Sequence, residues 1–189
     1  MPAKPGELRI IGGEWRSRKL PIADVPGLRP STDRVRETLF NWLRNDIAGA
    51  RCLDLFAGSG ALGFEAASRG AREVVLVESN HKVQQNLAAN ITALKAQQVQ
   101  LVCADALGWL QQAHAAFDVV FIDPPYASEL LAPSCALLEQ KNLLTSQAKI
   151  YLEHDARQEL PCLPKNWQII RGKKAGQVGY YLAQRNNNG

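Results

Sequence analysis

The chain has 189 residues, 46% of them hydrophobic, which suits one domain around a single sizeable core and leaves too little for a second. No run of about 18 apolar residues is present for a membrane span, and the opening MPAKPGELRI lacks the apolar stretch of a signal peptide, so a cytoplasmic, non-membrane protein is expected. The formal charge is +4 and is unevenly spread: residues 1–44 carry nine Lys/Arg against five Asp/Glu, residues 45–164 eight against thirteen, and residues 165–189 five against none.

In chain order, LRIIGGEWRSRKLPI reads as a short two-stranded ribbon carrying Arg16, Arg18 and Lys19. RPSTDRVRETLFNWLRN follows, where Ser31 or Thr32 can cap a helix whose apolar stripe is Val35, Leu39, Trp42 and Leu43. Residues 1–48 are therefore expected to be an extension packed on a main domain spanning 49–185, with 186–189 a disordered tail. In that domain short apolar runs alternate with amphipathic ones. Strands are predicted at 51–56, 73–78, 100–104, 118–123, 149–153, 167–172 and 178–183, and helices at 61–69, 80–94, 107–113 and 128–140. Repeated strand-helix-strand units imply a parallel sheet with helices on both faces. The last two strands lack a helix between them and can form a hairpin joined by KKAGQ, leaving one reversed strand.

Four cysteines, Cys52, Cys103, Cys135 and Cys162, form no CxxC pair, and His81, His114 and His154 fall in no ligand spacing with them, so no metal is expected. Cys52 and Cys103 lie in apolar runs and are expected to be small buried hydrophobes in a reducing compartment.

DLFAGSGALGFE, residues 54–65, places Gly58, Gly60 and Gly63 as GxGxxG between a strand and a helix, and Glu78 ends the next strand. Such a loop brings backbone N–H groups close to a ligand while the acid accepts hydrogen bonds from ribose hydroxyls. Alone, the pattern fits a dinucleotide dehydrogenase as well as an S-adenosylmethionine enzyme. Asp54 favours the second: a carboxylate just before the loop would repel a pyrophosphate but suits the ammonium of a methionine moiety, directly or through water. Asp105, ending the third strand of the domain, could meet the adenine amino group or simply cap a helix.

FIDPPY, residues 121–126, ends the fourth strand of the domain. If strands one and four are neighbours, Asp54 and Asp123 face one crevice at the carboxyl ends of the sheet. Methyl transfer to an exocyclic amino nitrogen needs acceptors for its two hydrogens, because its lone pair is otherwise delocalised into the ring. Asp123 supplies one and the Pro124 carbonyl a second, Pro124 and Pro125 hold both rigid, and Tyr126 can stack on the base. Carbon methylation of pyrimidines would call for a nucleophilic Cys here, and none follows until Cys135.

With RIIGGEWRSRKL, RPSTDRVRETLFNWL, LDLFAGSGALGFEAASRGA, VLVES, DAL and FIDPPY in this order, the chain from about residue 8 to 183 resembles the bacterial small-subunit ribosomal RNA methyltransferases of the D type, which make N2-methylguanosine at guanosine 966 of 16S RNA. The resemblance implies a Rossmann-like class I fold with a mostly parallel seven-stranded sheet and one antiparallel strand. It implies that Asp54, Gly58, Ser59, Gly60, Glu78 and Asp105 hold S-adenosylmethionine, and that Asp123, Pro124, Pro125 and Tyr126 hold a guanine of 16S ribosomal RNA in the small subunit. The enzyme would act as a monomer, without metal. Arg29, Arg34 and Arg36 would lie beside the active site, although pairing of an exposed helix face with Asp33 and Glu37 fits their spacing equally. Arg16, Arg18, Lys19, Lys173 and Lys174 are expected phosphate contacts, in runs short of acids to pair with. DNA adenine-N6 or protein glutamine-N5 methylation shares the DPPY chemistry, and a non-catalytic RNA-binding assembly factor would share the basic ends.

Overall fold

The computed structural model describes residues 6–28, 31–125 and 128–186. A two-stranded antiparallel ribbon, β1 (Glu7–Arg9) with β2 (Lys19–Pro21), precedes helix α1 (Asp33–Trp42), whose first turn is capped by the Thr32 side chain. The main domain then alternates β3 (Arg51–Asp54), α2 (Ala61–Ser68), β4 (Glu73–Glu78), α3 (His81–Leu94), β5 (Val99–Cys103), α4 (Ala106–Gln112), β6 (Phe117–Ile122), α5 (Leu131–Gln140) and β7 (Leu144–Asp155). It closes with the hairpin β8 (Trp167–Ala175) and β9 (Val178–Arg185).

The strands form one sheet ordered β5-β4-β3-β6-β7-β9-β8, parallel except for β9, which runs against both β7 and β8. This is the Rossmann-like class I arrangement expected, with its one reversed strand. The central strands are almost continuously apolar because each is covered on both faces. One core joins β1, β2, α1, α2 and α3 to the sheet through Leu8, Leu20, Leu39, Phe64, Leu87, Phe121 and Tyr151. The other packs α4 and α5 on the opposite face around Leu53, Val120, Leu138 and Ile150. The basic N-terminal extension and the basic C-terminal hairpin meet where Trp42 stacks on Tyr180, ring centroids 5.5 Å apart. Among the described residues no helix is long and apolar enough to cross a membrane.

Four local expectations need correction. The hairpin turns at Gly176 and Gln177 alone, since Ala175 pairs with Val178; Gly176 takes a positive φ of 59°, as a two-residue hairpin turn requires, so Lys173 and Lys174 are strand residues. β7 begins at Leu144 rather than 149, its polar start recruited by pairing of Leu144 with Phe117. α5 begins at Leu131 rather than 128, because the Ser128 amide and hydroxyl both donate to the Pro125 carbonyl and close a turn first. Cys103, at the end of edge strand β5, is exposed, whereas Cys52 is buried. Tyr126, Arg29 and the tail residues 187–189 lie outside the described residues.

Candidate active site

From β3 the chain moves outward to β4 and β5 and then returns to place β6 on the other side of β3. The carboxyl ends of β3 and β6 therefore flank the point where strand order reverses, the position of ligand crevices in open α/β sheets. Asp54 pairs in register with Phe121, two residues before Asp123, so the two acids end adjacent strands.

On the β3 side, Asp54 is 2% exposed and its Oδ2 accepts a hydrogen bond from the Gly63 amide at 2.9 Å. Gly63 must lack a side chain there: a Cβ would stand 2.2 Å from Leu76 Cδ2 and 3.2 Å from that same carboxylate oxygen. Burial pushes the Asp54 carboxyl up to about 7; the Gly63 amide opposes the shift and the nearby Glu78 charge adds to it. The loop itself turns through Gly58 and Gly60 at φ 51° and 79°, with Ser59 buried between them. Glu78 pins this loop, its Oε2 accepting from the Gly58 amide at 2.9 Å and its Oε1 from the Asn80 amide at 2.8 Å. Asp105 is exposed and caps α4, accepting from the Gly108 amide at 2.8 Å. The capping role left open for it is thus realised.

These residues fit S-adenosylmethionine by the chemistry of their donors and acceptors. The cofactor offers an ammonium, a ribose diol and an adenine amino group, all hydrogen donors. Asp54, Glu78 and Asp105 are acceptors at or just beyond three successive strand ends, and each carboxylate oxygen that serves one backbone amide keeps a second lone pair.

On the β6 side, Asp123, Pro124 and Pro125 line a cavity of about 210 Å³ together with Ser128, Glu129, Glu153 and His154. Burial is the main cause raising the Asp123 carboxyl well above the usual range, followed by the charges of Glu153 and Asp54. The Pro125 carbonyl is taken by Ser128. Sequence reasoning passed over Glu153, which is 6% exposed and accepts from the Tyr151 hydroxyl at 2.9 Å. The signal was present: KIYLE, like RCLD and EVVLVE, is an apolar run that ends on an acid.

The basic residues divide. Arg16, Arg34, Lys173 and Lys174 are exposed. Arg18, also exposed, donates to the Ala93 carbonyl at 3.2 Å, and Lys19 pairs with Glu7 at 3.0 Å, so the ribbon does hold an acid for one of its cations. Arg36 is a correction: at 1% exposure it cannot meet RNA. Its guanidinium reaches the Arg9 carbonyl at 2.8 Å, Asp33 at 2.6 Å and Glu65 at 3.4 Å. Glu65, fully buried on α2, also accepts from the Ile11 and Gly12 amides at 2.9 and 2.8 Å and from Arg69 at 2.7 Å. This acid clasps the N-terminal extension to the helix that follows the glycine loop. Its only trace in the sequence is a charge inside the otherwise apolar ALGFEAAS.

Comparison with known proteins agrees with this geometry. A family model described as Conserved hypothetical protein 95 matches residues 8–184. Ribosomal RNA small subunit methyltransferase D of Escherichia coli (strain K12) is 50% identical over 184 residues, covering 97% of this chain and 93% of that protein. The protein of the same name from Haemophilus influenzae is 44% identical over 187 residues, covering 97% and 96%. The solved structure of yhhF from Escherichia coli matches with a TM-score of 0.90 at 48% identity, over 96% of this chain and 99% of that one. SMU.776, solved in complex with SAH, matches with a TM-score of 0.62 at 18% identity, over 80% of this chain and 48% of that one, a likeness of fold alone.

Proposed function

The chain belongs to the family of ribosomal RNA small subunit methyltransferases D, and from that premise we propose that it methylates the exocyclic N2 of a guanine in 16S ribosomal RNA of the small subunit, at guanine 966 by resemblance, using S-adenosylmethionine. The observation that carries this reading is the pairing of β3 with β6 at the switch point, which sets the glycine loop and Asp54 beside Asp123 and Pro124.

In this reading Asp54 receives the cofactor's ammonium, the Gly58-Ser59-Gly60 turn lets the backbone approach it, Glu78 takes the ribose hydroxyls and Asp105 the adenine amino group. When bound, S-adenosylmethionine supplies a sulfonium methyl, the new N–C bond forming as the S–C bond breaks with its electron pair left on sulfur. The chain's own work is to prepare the nitrogen. Asp123 and the Pro124 carbonyl accept its two hydrogens, which favours a pyramidal nitrogen with an available lone pair, and the two prolines fix those acceptors before the substrate arrives. Tyr126 stacks on the base. Arg16, Arg18, Lys19, Arg34, Lys173 and Lys174 face phosphates. Residues 1–48 serve as the RNA-facing extension of the catalytic domain.

The test is incubation with unmodified small subunits and, separately, naked 16S RNA, followed by mass mapping of the modified nucleotide. A single N2-methylguanosine in the subunits is the expected result. Methyl groups on adenine N6 or on a protein glutamine would replace this function by its chemical neighbour, and no transfer to any of these substrates would reject it.

A further inference from the structure

The acceptor cavity contains a buried acid that the reading above leaves without a role. Glu153 lies opposite Asp123: in the parallel β6–β7 ladder Phe121 pairs with Tyr151 and Ile122 with Leu152, and the next residues along are these two acids. Alternation of side chains sends both carboxyls to the face carrying the Phe121 and Tyr151 rings, whose centroids are 6.4 Å apart. Both acids line the same cavity. The Tyr151 hydroxyl donates to Glu153 Oε2 at 2.9 Å. Burial raises the Glu153 carboxyl as well, but this hydroxyl donor opposes the shift and favours an anion there. Asp123 has no such donor among the described residues, and the Asp54 charge behind it opposes ionisation further. Two neighbouring carboxyls, Glu153 buried and Asp123 half-buried, hold one proton between them over a wide pH range, and here the Tyr151 donor places the charge on Glu153 and the proton on Asp123.

We propose that Asp123 and Glu153 form a proton relay: one Asp123 oxygen takes the proton that the methylated amino nitrogen must lose, while the other passes its own proton to Glu153, the terminal acceptor. The inference rests on the amino-nitrogen reading of the site. Protons balance: the pair starts with one proton and a single negative charge, gains one from the nitrogen, and ends neutral until Glu153 releases a proton to the cavity. Other groups face Glu153 as well. Tyr180 is its register partner on β9 and Lys173 continues that row on β8; Glu129, His154, Asp155 and Glu159 line the cavity.

The acid limb of the pH–rate profile, measured on small subunits at saturating substrates, discriminates. In the relay the working form needs only Glu153 ionised, so Glu153 sets the limb. Glu153→Gln hands the limb to Asp123, which has no supporting hydroxyl; the limb moves to higher pH and kcat falls about a hundredfold with KM changed by less than about twofold. Tyr151→Phe, which removes a donor to Glu153 and no carboxyl, moves the limb in the same direction with a smaller loss, and Glu153→Asp restores most of the rate. If Glu153 merely repels Asp123, both substitutions ease Asp123 ionisation and the limb moves to lower pH. That result, or an unchanged profile, overturns the relay. Infrared spectra with isotope-labelled aspartate read the Asp123 proton without turnover, as a protonated carboxyl band at neutral pH that disappears in Asp123→Asn. Presence of that band with no methylation of any subunit would reject the amino-transfer reading and leave the carboxyl pair; methylation without the band would reject the relay alone.

Discussion

The two sides of the crevice use one sequence feature, an acid at the tip of a buried parallel strand, in opposite ways. On the β3–β4 side the acids answer backbone amides: Asp54 holds Gly63, and Glu78 holds Gly58 and Asn80. On the β6–β7 side Asp123 and Glu153 line one cavity, and Glu153 accepts from the Tyr151 hydroxyl. Amides aligned on a carboxylate favour its charged form and tie down a loop, whereas a second buried carboxyl makes a proton cheap to share. The difference teaches that position at a strand tip selects an acid for the crevice, and its partners then select between holding a shape and moving a proton.

The sharpest way to break this division is Asp123→Ala. It should lower turnover on small subunits by at least about a hundredfold while calorimetric binding of S-adenosylmethionine changes by less than about threefold. Full turnover would mean that the β6 tip does no chemistry, and lost cofactor binding that the two sides are not separable. Next in size is the pH response of Asp54, whose carboxyl is raised from 3.8 to about 7. The folded chain keeps a proton there that the unfolded chain has already released, so the contribution to stability is complete below about 4 and is lost as pH rises through about 7. Denaturation midpoints across that window should fall with pH in the unmodified protein. Asp54→Asn should remove a slope worth on the order of 2–4 kcal/mol. S-adenosylmethionine, bringing a cation to the site, should bind more tightly as pH rises through the same window. A pH-independent difference between Asp54→Asn and the unmodified protein would show that the Gly63 amide, not burial, governs this acid.

Gly63→Ala probes the shape-holding side alone. A Cβ 2.2 Å from Leu76 Cδ2 forces α2 away from β4, at a stability cost of about 1–3 kcal/mol. Cofactor affinity should weaken with it, while kcat at saturating cofactor stays within a few-fold of the unmodified value. A fall in kcat as large as that of Asp123→Ala would merge the two sides into one mechanical unit.

Much of this was legible in the chain. Short apolar runs marked the strands and a 3.6-residue period the helices, the glycines announced the turn, and Asp54, Glu78 and Asp123 stood out because each ends an apolar run. Glu153 carried the same mark but no neighbouring motif, and its meaning appears only when β6–β7 register sets it opposite Asp123. Arg36 misled for a different reason. Its i, i+3 spacing to Asp33 does give an ion pair, at 2.6 Å, but on a buried helix face rather than an exposed one: the Arg9 carbonyl and Glu65, 29 residues away on another helix, enclose the guanidinium, and no local pattern reports such long-range partners. Lys173 and Lys174 read as loop because charged residues on an edge strand look like a turn; the strand is held by pairing with Tyr180 and Gly179 rather than by apolar alternation.

That last correction changes what the two lysines can do for RNA. As loop residues they would be interchangeable, but neighbours on a strand project to opposite faces. Lys173 shares a row with Tyr180 and Glu153, on the face where Trp42 stacks and where α1 presents exposed Arg34; Lys174 shares a row with Gly179 and His154 on the other. If the proposed RNA lies across the face that joins the basic ends of the chain, Lys173→Glu should flatten the salt dependence of subunit or RNA binding by roughly 0.7–0.9 in the logarithmic slope, and Lys174→Glu should leave it nearly unchanged. Equal slopes for the two variants would place the RNA along the open edge of β8 instead, where both side chains can reach one backbone. This is the smallest effect predicted, and it alone distinguishes a face from an edge.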